Sequence, residues 1–240
     1  MSDEPTWTPV PRTRTHQMVV EAIENQILSG ALHVGDLLPA ERTLSDQLQV
    51  SRAAVREAIR VLEGQGVLES NVGSGHRAGT FIAAMPSVAL TRFLRLHVAL
   101  SNFGLEEVVQ TRTILEVESA RLAAAEQDGD AAAGMRDALA DMSRRGVTRD
   151  EFNDADTRFH IALAHGSGNR LFADMTQAIR ESLKLPILRG LRGHDDWESV
   201  ADVLRGQHAA ILAAVEDGDA DRAAAATAEH ISTAYRALLG

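Results

Sequence analysis

The apolar positions of this chain follow a helical period almost throughout, with one interruption. In the first third they predict three short helices, over residues 13–29, around Leu44 and Leu48, and from Ser51 to about Gly64. The next stretch, VLESNVGSGHRAGTFIAA, instead resembles two short strands joined by a glycine-rich turn. The order helix, helix, turn, helix, hairpin predicts a winged helix-turn-helix over residues 13–84, preceded by a disordered tail at 1–12.

After Pro86 the pattern predicts helices alone. The expected segments are 87–101, 105–127, 130–145, 149–165, 169–189, 197–216 and 219–238. Thr148 and Glu151 have the spacing of a capping box, which supports a helix start there. Short connections between consecutive helices predict an antiparallel bundle of six or seven helices, the number depending on the first segment. The expected fold is therefore mainly α, with a linker and helix at 85–104 and the bundle at 105–240.

Composition narrows the classes of function. The chain has 34 acidic and 24 basic residues and a net charge of −10, which argues against nonspecific coating of nucleic acid. It has no cysteine, so disulfides, thiolate metal sites and cysteine nucleophiles are excluded. The N-terminus has neither the basic start nor the apolar run of a signal peptide, and no apolar stretch approaches the ~18 residues of a membrane span. We expect a cytoplasmic protein.

Three arginines stand in a row on the third predicted helix. Arg52, Arg56 and Arg60 recur every fourth residue and therefore share one side, beside the apolar stripe that contains Val55 and Ile59. A helix that reads DNA needs one face on the domain core and the neighbouring face free for the major groove, where arginine pairs bidentately with guanine. The alternative is a solvated surface face, as most charged stripes are.

Other polar residues surround this helix. Ser51 is a good N-cap residue at its start. Arg42, at the start of the preceding helix, is placed to reach the DNA backbone. His76 and Arg77 lie in the glycine-rich turn and could lie over the minor groove.

Four polar residues interrupt the apolar stripes of the predicted bundle. Asp156 and His160 lie four residues apart on one helix, and His208 and His230 lie on the last two helices. A hairpin folded at Gly218 brings these two histidines to about the same level. One carboxylate and three imidazoles suit a divalent transition metal, first zinc and otherwise manganese, nickel or iron. The alternative is an Asp–His pair with two separate core histidines.

Arg112 is a further charged residue on an apolar stripe. It lies on the predicted helix 105–127 beside Leu105, Val108 and Leu115, together with Glu116. The two residues are four apart, so an internal ion pair is one explanation. An arginine that binds a ligand carboxylate is the other.

The segment LLPAERTLSDQLQVSRAAVREAIRVLEGQGVLE closely resembles the N-terminal signature of GntR-family transcription regulators, and VGSGHRAGTFI is similar to the wing of that family. The resemblance implies that Arg42, Arg52 and Arg56 are the main DNA contacts, with Ser51 and Gly73 near the backbone. The chain departs from some members at Ala53 and Ala54, where those members carry hydroxyl residues. Contacts at these two positions are expected to be apolar or absent.

The bundle resembles the FCD ligand-binding domain of the FadR subfamily within that family. Many members carry an Asp-x-x-x-His pair followed by two further histidines, and Asp156, His160, His208 and His230 fill those positions. The resemblance implies that these four residues bind a metal ion. It also implies that Arg112 faces the metal pocket and pairs with an effector carboxylate.

The sequence therefore predicts a metabolite-responsive transcriptional regulator and not an enzyme. We expect a homodimer, more often a repressor than an activator, that binds an inverted-repeat operator and responds to a small carboxylate anchored on the metal. One alternative is a metal-dependent hydrolase, although no glutamate lies beside the histidines as in His-Glu-x-x-His. Another is a regulator whose metal-free bundle serves only dimerisation.

Overall fold

The computed structural model of the chain describes residues 15–71, 78–83 and 87–239. These residues pack as two units that divide between Ala89 and Leu90. The predicted tail at 1–12 lies outside the described residues. None of the helices in the described ranges combines the length and the apolar character needed to cross a bilayer.

The first unit contains three helices and a hairpin. They are α1 (Thr15–Leu28), α2 (Glu41–Leu48), α3 (Arg52–Gly64), β1 (Leu68–Asn71) and β2 (Gly79–Ile82). The two strands pair antiparallel, with Leu68 opposite Ile82. Their core is formed by the apolar faces of all five elements, including Val19, Ile23, Leu44, Val55, Ile59, Leu62, Leu68 and Ile82. The predicted winged helix-turn-helix order is confirmed.

Local signals explain the turn between α2 and α3. Gln49 adopts a left-handed conformation with φ 54°, which ends α2. Two residues later the Ser51 hydroxyl accepts a hydrogen bond from the Ala54 amide at 3.2 Å and caps α3. The cap predicted at Ser51 is thereby confirmed, and it fixes where α3 begins.

Seven helices follow from Ser87 onwards. They are α4 (Ser87–Ala99), α5 (Leu105–Glu126), α6 (Gly129–Met142), α7 (Arg149–Gly166), α8 (Arg170–Gly193), α9 (Trp197–Glu216) and α10 (Ala220–Leu238). The main neighbours are α6 with α7, α5 with α10, α7 with α8 and α9 with α10. Segment 87–101, on which the number of helices depended, is helical over most of its length. At α7 the predicted capping box forms, because Thr148 and Glu151 exchange hydrogen bonds.

Helix α8 runs four residues beyond its predicted end at 189. The glycines in RGLRGHDD suggested a break, but Gly190 lies inside the helix and serves a contact. A Cβ atom at Gly190 would overlap the carbonyl oxygen of Leu238, so a residue without a side chain lets α8 and α10 approach closely. This close approach brings the ends of the two helices together next to a buried polar cluster.

Candidate metal centre and nucleic-acid interface

The bundle brings together the four polar residues that interrupt its apolar stripes. Helix α7 supplies Asp156 and His160, α9 supplies His208 and α10 supplies His230. All four are buried, and even the most accessible, Asp156, is only 6% exposed. The rings of His208 and His230 lie 4.3 Å apart between centroids, at the same level of the α9–α10 hairpin, as the sequence predicted.

The ligand atoms of these residues have the spacing of a metal site. His160 Nε2 lies 3.1 Å from His230 Nε2 and 3.2 Å from His208 Nε2. Asp156 Oδ1 lies 3.1 Å from His208 Nε2 and 3.8 Å from His160 Nε2. Zinc bonds of about 2.0–2.1 Å place tetrahedral ligand atoms about 3.3 Å apart. The four atoms, all within 4.8 Å of one another, therefore fit around one ion.

The other nitrogen of each ring faces an acceptor. His208 Nδ1 lies 2.7 Å from the Leu204 carbonyl oxygen, and His230 Nδ1 lies 3.3 Å from Gln207 Oε1. His160 Nδ1 lies 2.8 Å from Glu116 Oε2, although this contact is bent away from the N–H direction. Acceptors at Nδ1 place the proton there and leave Nε2 with its lone pair.

Three Nε2 lone pairs and a carboxylate oxygen thus converge on one point. Burial lowers the pKa of His208 and His230 well below the usual value, and the positive charge that a neighbouring histidine would carry lowers it further. The rings of His208 and His230 are therefore neutral and have no second proton to share. Buried acceptors that face one another without a donor are unfavourable, and a cation between them removes the conflict. The donor set fits a divalent transition metal.

Arg180 is a site residue that the sequence analysis missed. It is 1% exposed and donates to Asp156 Oδ2, which leaves Oδ1 for the centre. Burial, and then the charge of Arg112, lower the pKa of Arg180 to about 9, so its guanidinium stays charged at neutral pH. A signal was available, because Arg180 lies on the apolar stripe of α8 between Thr176 and Leu183, just as Arg112 does on α5.

Arg112 and Glu116 form the ion pair that was one of the two expectations for Arg112. Arg112 Nε donates to Glu116 Oε1 at 2.8 Å, and Nη2 donates to Oε2 at 3.4 Å. Burial alone would raise the pKa of Glu116, but Arg112 and then His160 lower it well below its usual value. Glu116 therefore remains a carboxylate that contacts both Arg112 and a histidine of the cluster. The pairing does not remove Arg112 from the cavity beside the cluster.

That cavity is small and has both charged and apolar walls. Its volume is about 10 Å³, the space of roughly one water molecule. The polar wall contains Arg112, Asn153, Asp156, Arg180 and His230. The apolar wall comes from α7, α8, α9 and α10 and consists of Phe152, Ile187, Leu191, Leu204, Ala234 and Leu238. The cavity thus joins the metal-ligating atoms to two buried guanidinium groups.

In the first unit, α3 has the two faces that the sequence predicted. Val55, Ala58, Ile59 and Leu62 are buried against the core, whereas Arg52, Arg56 and Arg60 are exposed. Arg42, near the start of α2, is also exposed. The arginine face of α3 is therefore open to a partner. Gly73, His76 and Arg77, the predicted contacts of the wing, lie outside the described residues.

Arg56 has a partner that the sequence analysis did not identify. Its Nη2 donates to Glu41 Oε2 at 2.7 Å, and its Nε donates to Oε1 of the same carboxylate at 3.1 Å. Glu41 is the first residue of α2, so the pair crosses the turn between the two helices. The Arg56 hydrogen bond lowers the pKa of Glu41, which keeps the carboxylate charged. No pattern within one helix indicates a pairing over fifteen residues.

Comparison with known families and proteins follows the same division. The model for bacterial regulatory proteins of the gntR family matches residues 15–78. The FCD domain model matches residues 107–233, more than half of the chain. The gntR-family match covers α1, α2, α3 and β1. The FCD match covers α5 to α10, except the first residues of α5 and the last residues of α10.

Individual proteins match over nearly the whole chain. The HTH-type transcriptional regulator LutR of Bacillus subtilis is 29% identical over 216 residues, which cover 89% of this chain and 96% of that protein. The Glc operon transcriptional activator of Escherichia coli K12 is 28% identical over 227 residues, which cover 92% and 88%. Streptococcus agalactiae GntR, a solved structure, is 24% identical with a TM-score of 0.60 and covers 92% of this chain and 99% of its own; this likeness concerns the fold.

Proposed function

The chain belongs to the GntR family of bacterial regulatory proteins and carries its FCD domain, and from this premise we propose that it is a metal-dependent sensor of a small carboxylate that controls transcription as a homodimer. Family membership identifies a DNA-binding transcriptional regulator with an effector-binding domain, rather than an enzyme. The metal, the class of effector, the dimer and the type of operator are the proposed parts.

The proposed metal ligands are Asp156, His160, His208 and His230. The observation that carries this assignment is the convergence of three Nε2 atoms and Asp156 Oδ1 at separations of 3.1–3.8 Å. Zinc is the first candidate because imidazole nitrogen with one carboxylate suits it, and manganese, nickel or iron would accept the same donors. When bound, the ion supplies two positive charges and a coordination position for an effector oxygen.

The charge balance of the cluster supports an anionic effector. Among the described residues, the buried ionisable side chains are Arg112, Glu116, Asp156, His160, Arg180, His208 and His230, and all belong to this cluster. Two guanidinium groups and two carboxylates balance, and His208 and His230 are neutral. A divalent cation therefore leaves a buried excess of positive charge, which is unfavourable unless an anion joins it. Arg112 and Arg180 line the cavity where a carboxylate would bind.

For DNA binding, the proposed contacts are Arg42, Ser51, Arg52 and Arg56, with Gly73, His76 and Arg77 in the wing. The exposed arginine face of α3 supports this, because arginine reads guanine bidentately in the major groove. Two copies of such a helix, related by two-fold symmetry, match an inverted repeat. Effector binding alters operator affinity only if one arrangement of the dimer binds the effector better.

We assign repression as the sign of regulation, with the operator released when the effector binds. The Glc operon relative is named an activator, so a reporter fused to the operator is the direct test. Expression that rises when the gene for this protein is deleted supports repression, and expression that falls contradicts it.

The metal assignment is tested by elemental analysis of the purified protein beside Asp156→Ala. We expect about one divalent ion per chain in the wild type and none in the variant, with a melting temperature that falls on chelation and recovers when metal is returned. His165→Ala is the matched control, since His165 is exposed on the same helix α7. Equal metal content in wild type and Asp156→Ala would refute the assignment.

A further inference from the structure

Asn153 is buried beside the metal-ligating residues, and its side-chain amide donates a hydrogen bond but accepts none within the described ranges. It lies on α7 three residues before Asp156 and is 1% exposed. Its Nδ2 donates to the Lys184 carbonyl oxygen at 3.0 Å. Its Oδ1 is buried and accepts no hydrogen bond from any described residue. The side chain also lines the cavity that contains Arg112 and Arg180.

The orientation of this amide is fixed by its partner. Rotating the amide by half a turn would place Oδ1 against the Lys184 carbonyl oxygen, and two acceptors would then face each other. The carbonyl of Lys184 therefore holds Nδ2 and leaves Oδ1 without a hydrogen bond in the described part of the chain, on a side chain that lines the cavity. A buried acceptor without a donor is unfavourable, so a ligand that brings a donor gains more there than elsewhere.

We propose that Asn153 Oδ1 recognises a hydroxyl group of the effector, and that the effector is a small hydroxy acid. This inference rests on the proposed function, because Arg112, Arg180 and the metal ion are assigned to the carboxylate. Arg180 has a second free donor, since its Nε is buried and has no partner among the described residues. Acid-binding donors and one hydroxyl-binding acceptor therefore share one cavity.

Other substituents fit this acceptor less well. A ketone oxygen or a second carboxylate would place an acceptor against Oδ1, and a hydrogen or methyl group would leave Oδ1 unpaired. An ammonium group would donate, but it would enter a site that already contains two guanidinium groups and the metal. Among the common neighbours of a carboxylate, the hydroxyl group is the neutral donor.

The walls limit the size of the ligand. The cavity is about 10 Å³, and its apolar wall consists of side chains of α7, α8, α9 and α10. A hydroxy acid must displace part of this wall, where Gly190 on α8 meets Leu238 on α10. Each added carbon requires a larger displacement, which favours acids of few carbons.

The test is calorimetric titration of the metal-loaded full chain with two matched series of acids. One series is lactate, pyruvate and propionate, and the other is 2-hydroxybutyrate, 2-oxobutyrate and butyrate. We expect the hydroxy acid of at least one series to bind about 10-fold or more tightly than both its partners. In Asn153→Leu the preference should fall to about 2-fold or less, since the acceptor is lost. The metal content of this variant should not change.

Thr227→Val is the matched control. Thr227 is fully buried, its Oγ1 has no partner within the described residues, and it does not line the cavity. Its substitution should leave the preference intact.

Equal affinity for all members of both series, or a preference that survives in Asn153→Leu, overturns the inference while the carboxylate sensor stands. If Asn153→Leu does not fold, the wild-type preference alone decides. If neither series binds but succinate or glutarate does, the hydroxy-acid inference fails and the proposed function survives. If no carboxylate binds the metal-loaded protein, both fail.

Discussion

Two arginine–glutamate pairs with nearly the same geometry lie in the two units of this protein. Arg112 donates to both oxygens of Glu116 within α5, and Arg56 donates to both oxygens of Glu41 across the turn between α2 and α3. The side chains of the first pair are 3% and 1% exposed, and those of the second are 56% and 36% exposed. The two pairs therefore have the same chemistry and differ in their exposure to solvent.

This difference gives the two pairs different consequences. Removing one partner from the buried pair leaves a charge without water or counter-ion, which strongly destabilises the fold. At the surface, water and salt replace the lost partner, so the exposed pair contributes little to stability. The exposed guanidinium of Arg56 is therefore free to change partner without disturbing the fold, as its proposed contact with DNA requires. The buried guanidinium of Arg112 is held in place, as its proposed contact with an effector requires.

The largest effect is expected from Glu116→Gln, which removes the carboxylate from the buried pair. Arg112 loses its counter-charge and His160 loses the carboxylate at its Nδ1. We expect a loss of roughly 3–5 kcal/mol in the free energy of unfolding. At about 2–4 °C per kcal/mol, the melting temperature should fall by about 6–20 °C. Thermal unfolding followed by circular dichroism measures this change.

Glu118→Gln is the control for that variant. Glu118 lies two residues from Glu116 on α5 and is exposed, and its Oε2 lies 3.7 Å from Arg121 Nε. Its melting temperature should stay close to wild type. If Glu116→Gln and Glu118→Gln have the same melting temperature, burial does not distinguish the two arginine–glutamate pairs. The double variant Arg112→Leu/Glu116→Leu should recover part of the loss, because it removes both buried charges together.

The second expected effect is a loss of stability in mild acid, between about pH 6.5 and pH 5, that arises from the buried histidines of the bundle. Because burial lowers the pKa of His208 and His230 in the folded state, the unfolded chain binds their protons first as pH falls. Their contribution is absent above about pH 6.5 and grows below it, on the order of 1 kcal/mol per pH unit for each histidine. Glu116, whose folded pKa is well below its usual value, begins to contribute only in stronger acid.

Melting temperatures of the chelated protein between pH 8 and pH 5 measure this effect. The curve should be flat at the upper end and fall below about pH 6.5. It should flatten in His208→Leu/His230→Leu, while His165→Ala retains the wild-type slope. An unchanged slope in the double variant would mean that the two rings do not hold the lowered pKa values given by their burial.

In both regions the sequence could predict residues with a local signal, but not contacts that depend on a second element. Asp156, His160, His208 and His230 were found because each interrupts a helical apolar stripe, and helix spacing fixes their relative levels. Arg180 carried the same signal on α8 and was overlooked. Asn153 could not be assigned from the sequence, because its proposed role depends on the Lys184 carbonyl oxygen of another helix. The Arg56–Glu41 contact was equally hidden, since it depends on how α2 turns into α3.

The fold itself followed from local patterns. The seven segments proposed as helices after residue 86 lie within a few residues of the observed helices, because each has its own apolar stripe and stop signal. The predicted end of α8 was wrong. A glycine in the local sequence indicates the end of a helix, but Gly190 lies within α8 because the close contact with Leu238 requires a residue without a side chain. Tertiary contacts decided where local signals were ambiguous.

The third effect concerns DNA affinity without stability. Arg52→Ala should weaken binding to the specific operator by about 10–100-fold, the cost of one bidentate base contact, and leave the melting temperature unchanged because Arg52 is exposed. Arg52→Lys is the matched control. It keeps the charge but loses the planar fork, so it should retain nonspecific affinity and lose operator preference. Unaltered footprinting of Arg52→Ala would contradict the role of Arg52.

The smallest effect is expected from Glu41→Gln, the surface counterpart of Glu116→Gln. The substitution releases Arg56 and removes a negative charge beside the DNA-facing side of α3. Nonspecific affinity for DNA should rise a few-fold at low salt, because one more positive charge is free for phosphates. Affinity for the operator should rise less, so the ratio of the two should fall, while the melting temperature stays within about 1 °C of wild type. Glu21→Gln, an exposed substitution on α1, controls for the altered net charge. If nonspecific affinity for DNA rises by the same factor in Glu21→Gln, Glu41 acts only through net charge and not through its hydrogen bonds with Arg56.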